Sequence, residues 1–263
     1  MTRPEYAPSG LLALLTPQAN TTVEPEFSVL MPPGVCWLNG RLLSSGQTIA
    51  DRLAQYMANL DTAANQFGNA PIEALALACT GTGYVVGPEQ EDAQLATVST
   101  RLDRPAFSAA TAVCDALACL QARTVVLISP YDDAVHKLSE PYWQQRGRQA
   151  ARPFEISQYI NLPAVQGFHP IYARQSDALD QALTEHRQSV EAADAVVVLG
   201  TGMPTLAAIS RYAGPTPLMS CMLCLGWRAA LSVGAVTDDK AALVSFLTGQ
   251  AWARHLDHRL GQT

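Results

Sequence analysis

The sequence predicts an α/β protein made of two similar Rossmann-like domains, each with a parallel sheet. The domains are related by a pseudo-two-fold axis, and the active site lies in the cleft between them. Three observations predict this. Apolar runs of strand length alternate with helix-like segments. The runs are rich in Val, Leu and Ala without polar alternation, which suits strands covered on both faces. The strand-loop-helix units of the first half also recur in the second. The 263 residues suffice for two modest domains, and a composition 48% hydrophobic and 15% charged favours a packed core over disorder. The predicted division assigns residues 1–106 plus 221–263 to one domain and 107–220 to the other.

The first strand is "LLALL" at 11–15, followed by Thr16-Pro17. "TPQANTTVEPE" follows, in which Pro sets a turn and Asn20, Thr21 and Thr22 stand at the start of a helix carrying Glu24 and Glu26. This stretch reads as a capped helix. It also reads as a loop that turns the Asn20 amide toward a substrate carboxylate, and both can hold at once. "ALALA" at 74–78 is a second strand that runs into Cys79 and the turn Thr80-Gly81-Thr82-Gly83. "TVVLIS" at 124–129 leads through Pro130-Tyr131 into a helix ending at Gly147. "AVVVL" at 195–199 leads into Gly200-Thr201-Gly202-Met203-Pro204. From Pro17 to Pro130 is 113 positions and from Cys79 to Gly200 is 121, a repeat with a small insertion. The two-fold would bring the strand C-terminal loops of both halves face to face, where α/β sheets place ligands.

Charge and composition exclude several function classes. The net charge is −6 with no Lys/Arg-rich block, which argues against nucleic acid and anionic membranes as partners. An anionic substrate must then be held by local donors. "GLLALL" is too short to span a membrane and Arg3 makes a poor signal-peptide start, so the cytoplasm is expected. Six cysteines in a chain of this length do not read as a disulfide framework.

Among candidate sites, Cys79 stands where backbone N–H groups of the following turn could stabilise a thiolate and bind a carboxylate. The alternative is a small buried hydrophobe. "GTGYVVG" misses the dinucleotide spacing because position 86 is Val, and no P-loop follows. Cys221-Met-Leu-Cys224 lacks a second pair of ligands for zinc, and reads as a helix carrying two buried thiols. His255 and His258 read as a solvated helix face, and no G-x-S-x-G elbow is present.

Taken together, Pro-x-x-Asn-Thr-Thr-x-Glu at 17–24, Cys79-Thr80, Pro130-Tyr131, Met203-Pro204 and "GWRAALSVG" at 226–234 resemble the aspartate/glutamate racemase superfamily. The resemblance is to its maleate isomerase and arylmalonate decarboxylase branch, and it covers most of the chain in order. It implies two similar α/β domains, no metal or organic cofactor, a small carboxylate substrate and a possible homo-oligomer. Cys79 falls on the first catalytic cysteine. Asn20 and Tyr131 fall on carboxylate-binding positions. Thr80, Gly81, Thr201, Gly202 and Met203 fall on the loops around the substrate, and Asn161 matches a further substrate-binding asparagine. Gly200 falls on the second cysteine, and this is the departure: one thiol stands where racemases and typical maleate isomerases have two. Arylmalonate decarboxylases have a single thiol on the other loop.

One thiol disfavours two-base racemisation. It permits cis–trans isomerisation of an enedioate by thiolate addition, bond rotation and elimination. It also permits decarboxylation of a malonate-type acid, with Cys79 protonating an enediolate from one face. The "NTTVE" stretch places isomerisation slightly ahead. A non-catalytic carboxylate-binding protein is the third reading.

Overall fold

A computed structural model describes residues 3–166 and 170–261. The chain runs β1 (Gly10–Pro17), α1 (Val23–Leu30), β2 (Val35–Leu42), α2 (Ile49–Ala58), α3 (Leu60–Ala64), a 3-10 turn, β3 (Ala74–Leu77), α4 (Gly81–Val86) and α5 (Pro88–Leu102). It continues through β4 (Ala106–Ser108), α6 (Ala109–Leu120), β5 (Thr124–Ser129), α7 (Asp133–Gln149), β6 (Glu155–Asn161), α8 (Pro170–Ala173), α9 (Asp177–Glu185) and α10 (Arg187–Ala192). The last elements are β7 (Ala195–Val198), α11 (Leu206–Arg211), β8 (Leu218–Ser220), α12 (Cys221–Ser232), α13 (Lys240–Leu247) and α14 (Ala253–Leu260).

The duplication is explicit in the sheets. One has the order β2-β1-β3-β4 and the other β6-β5-β7-β8, so each strand of the first half has a counterpart in the second. Every pairing is parallel. The four inner strands β1, β3, β5 and β7 are the apolar runs singled out above. All but Thr124 of their residues are buried, as expected for strands with helices on both faces. The strands of the first sheet fall within residues 10–108 and those of the second within 124–220.

The corresponding fourth strands end alike. Ser108 accepts from the Thr111 N–H to start α6, and Ser220 accepts from the Leu223 N–H to start α12, both at 3.1 Å. These two helices pack against each other, and α12 also lies on α1 and β3. Each half thereby lends a helix to the seam between the sheets. Cys221 and Cys224 are fully buried free thiols on α12, and His255 and His258 are exposed on α14. No described helix is long and apolar enough to cross a membrane.

Candidate active site

The loops after β1, β3, β5 and β7 meet in a cavity of about 420 Å³ at the C-terminal ends of the two sheets. Asn20, Cys79, Thr80, Gly81, Tyr131, Thr201 and Gly202 line it. Sequence positions up to 181 residues apart are held there by bonds that cross between the halves. The Asn20 amide donates to the Thr201 carbonyl at 3.1 Å, and the Thr22 hydroxyl donates to the Gly202 carbonyl at 2.6 Å. The Thr201 hydroxyl donates to the Ala78 carbonyl at 2.9 Å. Thr80 and Tyr131 hydroxyls are 2.8 Å apart. The pattern is reciprocal: Thr80 of the first half holds Tyr131 of the second, and Thr201 of the second half holds Asn20 of the first.

The Asn20 loop starts a helix, as its sequence suggested, and places Asn20 at the cavity wall. Its Oδ1 accepts from the Thr22 and Val23 N–H groups at 2.8 and 3.1 Å, capping α1, and its amide faces the cleft. Glu26, one turn further along α1, reaches the opposite half. Its Oε1 accepts from the Thr205 and Leu206 N–H groups at the start of α11, while Oε2 is buried without a partner. Burial outweighs those hydrogen bonds and pushes its carboxyl up to about 7.

Cys79 is 4% exposed. The sequence suggested a thiolate stabilised by the turn, and hydrogen bonds at Thr82 and Gly81 do favour the charged form. Desolvation is the larger effect, and the thiol is pushed up to about 11. Burial therefore favours the neutral S–H form of Cys79 near neutral pH. The reason lies in residues far away in sequence: Ile49, Leu53, Val135 and Ile171 surround the cavity with apolar side chains. Tyr131 is likewise held far above the ordinary phenol range by burial.

Three predicted residues do not line the cavity. Asn161 is exposed at the end of edge strand β6, paired with Ser129, so no element turns it toward the site. Met203 is fully buried within the core. Gly200 lies just beneath the cavity wall, at φ +83°, a left-handed conformation that favours glycine. A Cβ there would stand 2.8 Å from the Tyr131 hydroxyl and 3.0 Å from Ile171 Cδ1. The place of a second thiol is thus filled by a phenol and an isoleucine.

Sequence reading missed the walls. Ile49, Arg52, Leu53 and Tyr56 of α2 line the cavity at i, i+3, i+4 and i+7 spacing, one face of a helix. An arginine on that otherwise apolar face was the available signal. Arg52 is the one cation among the described lining residues, and its Nη1 donates to the Gly46 and Gln47 carbonyls at 3.3 and 3.2 Å. Ile171 and Tyr172, from the short α8, close the opposite wall.

The family model for arylmalonate decarboxylase matches residues 12–260. The chain belongs to the arylmalonate decarboxylase family. No curated protein matches it in sequence. Several solved structures share the fold of this family member. The maleate isomerase Iso from Pseudomonas putida S16 is 20% identical with a TM-score of 0.73, covering 85% of this chain and 92% of its own. A cysteine-to-serine mutant of Nocardia farcinica maleate cis-trans isomerase, carrying a covalently bound succinylcysteine intermediate, is 20% identical with a TM-score of 0.71. That match covers 90% of this chain and 98% of the other. A liganded arylmalonate decarboxylase mutant with one glycine-to-cysteine and one cysteine-to-serine replacement is 16% identical with a TM-score of 0.69, covering 85% and 92%.

Proposed function

We propose that this family member decarboxylates a substituted malonate, with the Cys79 thiol supplying the proton. The observation that carries this reading is the placement of Cys79, the one cysteine among the described lining residues, with hydroxyl donors on one side and apolar side chains on the other. One carboxylate would be held by Thr80, Tyr131 and the N–H groups of the loop after β3. The other would face the apolar wall, where a buried charge is poorly solvated and its loss as CO2 is favoured. The breaking C–C bond leaves its electron pair on the retained carboxylate as an enediolate, stabilised by those donors. The carbon then takes the Cys79 proton, and water reprotonates the resulting thiolate.

The second reading is cis–trans isomerisation of an enedioate. It is favoured by the Asn-Thr-Thr stretch and by the succinylcysteine described for a Nocardia isomerase mutant that lacks one cysteine. It requires Cys79 as thiolate. Burial pushes that thiol up to about 11 and so disfavours the thiolate, and the family model that matches is the decarboxylase's, which together place this reading second. The deciding experiment is NMR in D2O with phenylmalonate and maleate offered in turn. Loss of CO2 with deuterium at one face of the product carbon supports decarboxylation. Fumarate from maleate, with phenylmalonate untouched, overturns it. The Cys79→Ala variant must lower whichever turnover is seen by about 10³-fold.

A further inference from the structure

The cavity holds one charge to which the proposed reaction gives no task. Arg52 stands on the α2 face that carries Ile49, Leu53 and Tyr56, and all four line the cavity. A half-buried guanidinium on an otherwise apolar wall gives up hydration, which its hydrogen bonds must offset. Nη1 donates to the Gly46 and Gln47 carbonyls at 3.3 and 3.2 Å, which occupies both of its N–H groups. Among the described residues Nε and Nη2 have no hydrogen-bond partner, and no carboxylate pairs with them. Those two nitrogens form one edge of the planar fork, an edge that can grip a carboxylate through two parallel bonds.

Pinning the loop between β2 and α2 does not explain this arrangement. Gln55 already ties that loop to α2, its Oε1 accepting from the Ser44 hydroxyl at 2.7 Å and the Ser45 N–H at 3.2 Å. The loop is also packed close, since a Cβ at Gly46 would stand 2.8 Å from the Arg52 backbone N. Arg52 gives the loop a single nitrogen. Its two bonds there hold the guanidinium beside Ser44 and Ser45, which line the same cavity, and so preorganise the open edge.

The other groups in the cavity narrow down which anion that edge would meet. The retained carboxylate has the Thr80 and Tyr131 hydroxyls, 2.8 Å apart. The leaving carboxylate is a poor partner, because a cation beside it would stabilise the charge that has to depart. Asp132 is the one carboxylate among the described lining residues, and it caps α7 by accepting from the Val135 N–H at 3.0 Å. A cavity of about 420 Å³ lies in the range that takes drug-sized ligands, well beyond a bare malonate head. The anion left for Arg52 is on the substituent.

We propose that Arg52 is a specificity-determining residue that binds an anionic end of the substituent, so that the substrate is a malonate carrying a third carboxylate. This rests on the decarboxylase reading for the malonate head. The test pairs malonates bearing ω-carboxyalkyl chains of one to four carbons with their terminal amides, which match them in size and lack the charge. At the best chain length the wild type favours the acid over its amide about ten-fold in kcat/KM, the scale of a charge-assisted pair at a partly exposed site. Arg52→Gln, with no charge to offer, brings that preference below about two-fold. Equal losses on acid and amide would make Arg52 a loop pin or a holder of a reacting carboxylate, and that result overturns the proposal. So does a wild type with no preference at any chain length. Where Arg52→Gln does not fold, Arg52→Met takes its place and must erase the same preference. Calorimetric binding of the product dicarboxylates, succinate through pimelate, against their monoamides repeats the comparison without turnover. If no malonate is turned over, the decarboxylase reading falls, while the binding gap and its loss in Arg52→Gln still decide this one.

Discussion

Cys79 and Gly200 stand just after corresponding strands, β3 and β7, and precede closely similar Thr-Gly turns, yet their surroundings differ. On the first side a thiol faces the cavity beneath Leu53 of α2. On the second side the glycine lies under Tyr131 and Ile171, which approach to where a side chain would begin. The comparison teaches that the glycine side of the pair holds no vacancy. The two-fold relates the backbones, and the side chains between them have been repacked around one thiol.

The strongest way to break this asymmetry is to remove the thiol. Cys79→Ala is expected to lower turnover about 10³-fold, the scale of a proton-transfer group, measured as product formation at saturating substrate. A loss below ten-fold would place the proton donor elsewhere. The pH profile sharpens the same contrast. A neutral thiol as acid predicts a rate independent of Cys79 ionisation between pH 7 and 9, falling as pH nears about 11. Thiolate addition predicts the opposite, a rise of about ten-fold per pH unit over that range.

Only part of this arrangement was legible in the sequence. The inner strands announced themselves because residues buried on both faces must be apolar throughout. The outer strands did not: β4 and β8 have three residues each, and β2 and β6 mix polar with apolar positions. The loop residues Asn20, Cys79, Thr80 and Tyr131 were legible as strand-end motifs. The ionisation state of Cys79 was not, since local N–H donors argue one way and the walls of α2 and α8, distant in sequence, argue the other. The burial of Met203 and the outward position of Asn161 likewise depend on tertiary packing that no local motif encodes.

A smaller effect probes the bond that ties the halves together. Glu26 has its carboxyl raised from 4.5 to about 7 in the folded protein. The native state therefore holds a proton that the unfolded chain releases between those values. Stability is full below about pH 4.5 and declines as pH rises through about 7, by on the order of 3 kcal/mol across the window. Urea denaturation at pH 5 and pH 8 should show this decline, and Glu26→Gln should flatten it. An unchanged slope in the variant would assign the pH dependence to another group.

Smallest of all is the effect of adding a side chain on the glycine side. Gly200→Ala should cost about 1–2 kcal/mol for the left-handed backbone alone. It should also lower activity, since the new methyl group competes with the Tyr131 hydroxyl for space. A gain in stability there would mean that the phenol yields easily and that the asymmetry is loosely held.

The reciprocal threonine bonds have a consequence for how such a cleft can be built. Thr80 orients a residue of the second half and Thr201 one of the first, so each half carries instructions for its neighbour's donors. A chimera that joined one half to a relative's other half would keep these bonds only where the relative supplies the matching partner. Exchange by modules is therefore limited to halves that complete both crossing pairs.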